Sequence, residues 1–195
     1  MEERLLAYFS KFRPLTIEEK AAITENLTSR RYDRGSFILM PGREPTYNYF
    51  VVGGCVRKYY VRDGQETSTN FYIEDDWILP TVGASVNFVA DYYLECIEDS
   101  ALIVAGEDDG NDLLERFPSF EALARQMLEQ EVLRQQVHIA NYQNATPEER
   151  YLRLQDERPE LIKRVPQFQL SSYIGVRPES LSRIRKRLAN QATED

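Results

Sequence analysis

Leu170-Ser-Ser-Tyr-Ile-Gly-Val-Arg-Pro-Glu-Ser-Leu-Ser-Arg-Ile-Arg-Lys-Arg-Leu188 reads as two short helices broken at Gly175. In the second helix Leu181, Ile184 and Leu188 recur at i, i+3, i+7 and form one face, which is expected to pack on Leu170, Ile174 and Val176. The opposite face carries Glu179, Arg183 and Lys186, flanked by Ser182 and Arg187. Two helices with this division of faces are expected to form a helix-turn-helix meeting double-stranded DNA.

The charge distribution supports a local basic module. The 195-residue chain has a formal net charge of −8. Residues 150–190, however, hold ten Lys/Arg against four Asp/Glu, whereas residues 1–149 hold fourteen against twenty-six. An acidic body with a basic end suits a regulator whose DNA-facing part is confined to one module.

Upstream of that module the hydrophobic period changes twice. Residues 1–29 read as helical, with Leu5, Leu6 and Phe9 on one side and Thr16-Ile-Glu-Glu19 as a capping box. The second helix is expected to turn Ile17, Ala21, Ala22 or Ile23, and Leu27 inward. From Ser29 to about Ala105, short strand-forming runs alternate with turn signals, among them Pro41-Gly42, Gly53-Gly54 and Asp63-Gly64. Such spacing predicts a barrel or sandwich, here a jelly-roll-like antiparallel β-roll. A long helix then runs from Ser119 to about Tyr142. Leu128, Val132, Gln135, Ile139 and Tyr142 recur along it at 4-3-4-3 spacing, a seam that fits a second copy of the helix. A second stripe, Leu123, Met127, Leu133 and Val137, fits the β domain, the alternative being a helix buried within one monomer. Thr146-Pro-Glu-Glu149 restarts a helix with its own capping box. The fold class is therefore α+β, divided into 1–118 (β-roll), 119–143 (dimerisation helix) and 146–195 (helix-turn-helix). Only seven residues follow Leu188, so no wing is expected.

Composition excludes several functions. Cys55 and Cys96 lack metal-ligand spacing and read as small core residues, and His138 is the only histidine. No metal site, no histidine-based catalytic triad and no cofactor is expected, nor an enzyme. No apolar run reaches a membrane-spanning length, and the N-terminus lacks the pattern of a signal peptide, so a cytoplasmic protein without membrane contact is expected.

The order of these pieces resembles the Crp/Fnr family of bacterial transcription regulators. The resemblance is carried by Arg34-Gly-Ser-Phe-Ile-Leu-Met-Pro-Gly42, Tyr49-Phe-Val-Val-Gly-Gly-Cys-Val-Arg57, Asp76-Trp-Ile78, Arg150-Tyr151 and Gly175-Val-Arg-Pro-Glu-Ser-Leu-Ser-Arg-Ile184. It implies a homodimer on a palindromic operator and leaves room for RNA polymerase as a partner and for an unidentified small-molecule effector. It places Glu179 and Arg183 as base readers. Ser180 and Ser182 lie on the same helix, and Arg177, Arg185, Lys186 and Arg187 suit phosphates, as do Ser171 and Ser172. An effector pocket would involve Trp77, Pro80, Thr81, Val82, Ser85 and Val86.

One departure from the family is chemical. Cyclic AMP-responsive members carry Gly-Glu after the strand aromatic and Arg-Ser before the next strand. Here Leu79-Pro80 stands in the first place, and residues 81–91 contain no Lys or Arg. A cyclic phosphate buried beside Asp91 without a cation is unfavourable by several kcal/mol, so cyclic AMP is not expected as a ligand. The alternative reading of the whole chain is a β-roll ligand sensor or interaction protein that no longer binds DNA.

Overall fold

The computed structural model describes residues 1–25, 27–79 and 89–191, leaving aside the side chains of residues 107–109. Helices α1 (Glu2–Ser10) and α2 (Ile17–Glu25) come first. Strands β1 (Thr28–Tyr32), β2 (Phe37–Leu39), β3 (Tyr47–Gly53), β4 (Val56–Arg62), β5 (Gln65–Tyr72), β6 (Trp77–Ile78), β7 (Tyr93–Cys96) and β8 (Ser100–Gly106) follow. Helices α3 (Glu107–Arg116), α4 (Ser119–Asn144), α5 (Pro147–Glu157), α6 (Pro159–Arg164), α7 (Gln167–Ile174) and α8 (Pro178–Gln191) complete the chain. The fold class is α+β, as expected. Thr28 and Ser29 belong to β1 rather than to a helix, because pairing with β8 (Thr28 with Val104, Ser29 with Ile103) supplies their backbone partners.

The chain divides into two compact units, Met1–Lys58 with Phe71–Glu131, and Tyr59–Asn70 with Val132–Asp195. Long helix α4 is shared between them, and most of the β4–β5 hairpin, Tyr59–Asn70, belongs to the second.

The strands form two four-stranded sheets, ordered β1-β8-β3-β6 and β2-β7-β4-β5, the first of them wholly within the first unit. Strand alternation gives the first sheet two faces. Phe50 opposes Ile103 on β8 and Trp77 on β6. This face meets Leu5, Phe9, Leu15 and Ile23 of the N-terminal segment and Phe120 and Leu123 of α4. The other face carries Tyr49, Val51, Leu102 and Val104, all buried. Burying each such side chain contributes about 1.5–3 kcal/mol, so the two faces hold the first sheet between helices and roll interior. Gly54 (φ +97°) turns β3 into β4, where a Cβ would come within 2.3 Å of Ser100 Oγ.

Helix α2 orients differently from the expectation. Ile17 is 83 % exposed, whereas Glu19 is 4 % exposed and Ala22 and Ile23 are buried. The cause is the capping box. Glu19 accepts from the Thr16 amide at 2.9 Å while its own amide donates to Thr16 Oγ1. The carboxylate also accepts two bonds from Arg13, at 2.7 and 2.9 Å, and one from Ser119 Oγ at 2.8 Å. So many donors make burial of the charge tolerable, and they hold its pKa down at about 2.

In the second unit the capping box at Thr146 and Glu149 is formed, with Pro147 in the first turn of α5. Arg150 donates to the carbonyls of Tyr142 and Ala145, both at 2.9 Å, satisfying the end of α4. Helix α7 ends at Gly175, which is left-handed (φ 82°). Its amide and that of Val176 return to Ser171 and Ser172, the pattern of a Schellman turn.

Candidate nucleic-acid interface and the long helix

Helix α8 presents the face that its periodicity predicts. Leu181 (0 % exposed) and Ile184 (9 %) are buried against the unit's core together with Leu170 and Ile174. Arg177, Glu179, Ser182, Arg183, Arg185, Lys186 and Arg187 are exposed, and Ser180 is half-buried. Arg183 donates to Ser180 Oγ at 3.2 Å. Arg183, Lys186, Arg187, Asn190 and Gln191 line a shallow concavity. Arg187 is ion-paired with Glu148 of α5, so a phosphate would have to compete for it.

Two expected phosphate donors are otherwise engaged. Ser171 is 1 % exposed and its hydroxyl donates to the Phe168 carbonyl at 2.8 Å. Ser172 holds the β-hairpin: the Ser68 amide donates to its Oγ at 2.9 Å, and that hydroxyl donates to the Glu66 carbonyl at 2.9 Å. Both side chains serve the protein's own backbone, which corrects the expectation that they face DNA. The hairpin contact links residues more than 100 positions apart, which no local pattern announces.

On α4 the two apolar stripes behave differently along its length. Leu123 is buried and Met127 partly buried in the core of the first unit. Leu128, Val132, Leu133, Val137, Ile139 and Tyr142 are 45–61 % exposed, and Gln135 is half-buried. An apolar run of this extent on one helix is more than scattered surface leucines. Tyr142 is also engaged within the chain, its ring 4.8 Å below the Arg150 guanidinium. His138 stacks on Tyr173 at 5.6 Å, and burial pushes its pKa down.

Of the expected effector pocket, Pro80, Thr81, Val82, Ser85 and Val86 lie outside the described residues. Trp77 stands across from Phe50 and packs on Tyr8, Phe9 and Phe50, at 6.5, 6.3 and 5.3 Å between rings. It thus fills the helix-covered face of the first sheet rather than the roll interior. Sequence reasoning missed Arg57, a guanidinium 1 % exposed on β4 and held by interactions within the chain. Its alternation with Val56 and Lys58 in a strand-like run gave no sign of burial. Both cysteines are free and buried, and burial raises the Cys96 thiol to about 11, which suppresses thiolate chemistry. Among the described residues no group of His, Cys, Asp and Glu could hold a metal, and no helix is long and apolar enough to cross a membrane.

No family model and no curated protein sequence matches the chain. Solved structures do. It is similar to the c-di-GMP-responsive global regulator CLP of Xanthomonas campestris, with 14 % identity, 91 % of this chain and 93 % of that one covered, and a TM-score of 0.68. A CooA mutant from Carboxydothermus hydrogenoformans gives 14 %, 95 %, 84 % and 0.64, and FixK2 from Bradyrhizobium japonicum 20 %, 85 %, 86 % and 0.63. The chain therefore has the Crp/Fnr-type regulator fold. At these identities the likeness is one of fold.

Proposed function

We propose that the protein is a transcriptional regulator that binds a palindromic operator as a homodimer. The observation that carries this reading is the exposed basic face of α8 behind a tight left-handed turn, in a chain that is otherwise acidic. Arg183 and Glu179 would read base edges, Arg183 by a bidentate contact to guanine and Glu179 by accepting from a cytosine amino group. Arg177, Arg185 and Lys186 would neutralise phosphates and contribute affinity without sequence information. The exposed apolar stripe on α4 supports dimerisation. Two copies joined there would set their recognition helices about 34 Å apart, one turn of DNA. Cyclic AMP is not proposed as a ligand, because residues 81–91 supply no cation and Leu79-Pro80 no carboxylate.

Selection of binding sites from random duplex DNA by the full chain tests the reading. Enrichment of an inverted repeat, lost in Arg183→Ala, is expected. Retention of no DNA at low salt would reject it in favour of a sensor that does not bind DNA.

A further inference from the structure

A second concave site lies in the first unit, where the edge strands of the two sheets come together. A groove of about 410 Å3 is bounded by β1, β2, the segment to β3, and β3 itself. Its volume is within the range of small-molecule pockets. Four aromatic side chains line it: Tyr32, Phe37, Tyr47 and Tyr49. Phe37 is 46 % and Tyr47 43 % exposed, so flat apolar surface is open to solvent here.

Its charged side chains are Arg30, Arg43 and Glu44. Arg30 lies over the Tyr47 ring at 5.8 Å and forms no ion pair among the described residues. Arg43, exposed at the rim, forms none either. Tyr49 is 7 % exposed, and its hydroxyl has no hydrogen-bond partner among the described residues although it lines the groove. Burial, reinforced by Tyr32 and opposed by Arg30, pushes the phenol up to about 12, so it remains a donor at neutral pH. Glu44 is the one carboxylate in the lining. Two guanidiniums against one carboxylate leave a net charge near +1, which matches a monoanion better than a phosphate dianion. Aromatic walls with one excess positive charge and a phenol donor define the complementary ligand.

We propose that this groove binds a small planar aromatic carboxylate. Its ring would lie among Phe37, Tyr47 and Tyr49, its carboxylate would accept from Arg30 and Arg43, and the Tyr49 hydroxyl would donate to it. The site is distinct from the α8 face and does not rest on the DNA-binding reading; Arg183→Ala should leave it unchanged.

Calorimetric titration of the full chain with 2-naphthoate tests it. One site with a Kd below about 1 mM is expected. Arg30→Ala and Arg43→Ala should each weaken binding about tenfold or more, Tyr49→Phe about fivefold, and Glu44→Gln should strengthen it. All four should melt as the parent does, since Arg30, Arg43 and Glu44 are exposed and Tyr49→Phe keeps the ring. The neutral 2-naphthylmethanol should bind at least about tenfold more weakly than the carboxylate. Absence of binding, equal binding by the Arg30→Ala/Arg43→Ala double variant, or tighter binding of 2-naphthyl phosphate would overturn the proposal. So would a groove filled by a protein: a polyglutamate peptide that 2-naphthoate cannot displace, or a change of oligomeric state in the double variant with 2-naphthoate binding intact.

Discussion

Tyr142, in the last turn of α4, sets its hydroxyl where a side chain on Gly175 would stand: a Cβ there would lie 2.7 Å from the oxygen. The turn of the helix-turn-helix is thus closed over by the long helix. Gly175→Ala meets both this clash and a left-handed backbone, the latter alone costing about 1–2 kcal/mol. Urea unfolding followed by circular dichroism should show a loss of about 2–3 kcal/mol. Adding Tyr142→Phe should recover part of it, because the hydroxyl is the nearest atom.

The Arg13–Glu19 pair makes the first unit acid-sensitive. The folded pKa of Glu19, about 2, lies below the usual carboxylate value near 4.3. Its stabilising contribution is therefore complete above about pH 4.3 and disappears as pH falls toward the folded value. Arg13→Ala leaves a buried carboxylate with fewer partners and should cost about 3 kcal/mol at pH 7. Glu19→Gln should cost less at pH 7 and flatten the pH dependence of stability between about pH 4.3 and 2, measured by denaturant titration at each pH.

Ser172 holds the β4–β5 hairpin tip by one accepted and one donated bond. Ser172→Ala removes both and leaves the Ser68 amide, on a residue 3 % exposed, without that acceptor. A loss of about 1–2 kcal/mol is expected. Hydrogen exchange should locate it, with faster exchange at Ser68 and little change in the β8 strand.

Ile139 is 53 % exposed on the α4 stripe. On the proposed α4 dimer, Ile139→Asp should give a monomer in sedimentation velocity with unchanged circular dichroism. The same change should weaken operator binding, because each half-site would then be bound independently.

Arg183 and Lys186 should separate by the kind of loss they produce. Arg183→Ala should cost about 1–3 kcal/mol on the selected operator and relax preference at one base position. Lys186→Ala should weaken binding alike on all sequences and reduce the salt slope by about 1. Anisotropy titrations at several salt concentrations distinguish the two.

Much of the architecture was legible because it is locally encoded. Leu181, Ile184 and Leu188 define the buried side of α8 by spacing alone, and Asp63-Gly64, both at positive φ, marks its hairpin. Capping boxes at Thr16 and Thr146 were visible for the same reason. The candidate site was less legible. Ser171 and Ser172 look like phosphate donors in any sequence, and only the approach of Phe168, Glu66 and Ser68 shows that their hydroxyls are occupied. Trp77 sits in a motif associated with a ligand-binding roll, yet strand pairing with Phe50 turns it toward the helices.

The sequence by itself determined the order of elements, the two faces of α8 and the separation of an acidic body from a basic end, because these depend on helix and strand periods and on composition. Tertiary structure decided which polar side chains are free. It buried Glu19 beneath Arg13 and Ser119, committed Ser172 to the hairpin, enclosed Arg57, and gathered Arg30, Arg43 and Tyr49 around one groove. Hydrogen-bond satisfaction depends on neighbours brought together from distant parts of the chain, and residue spacing carries no information about them.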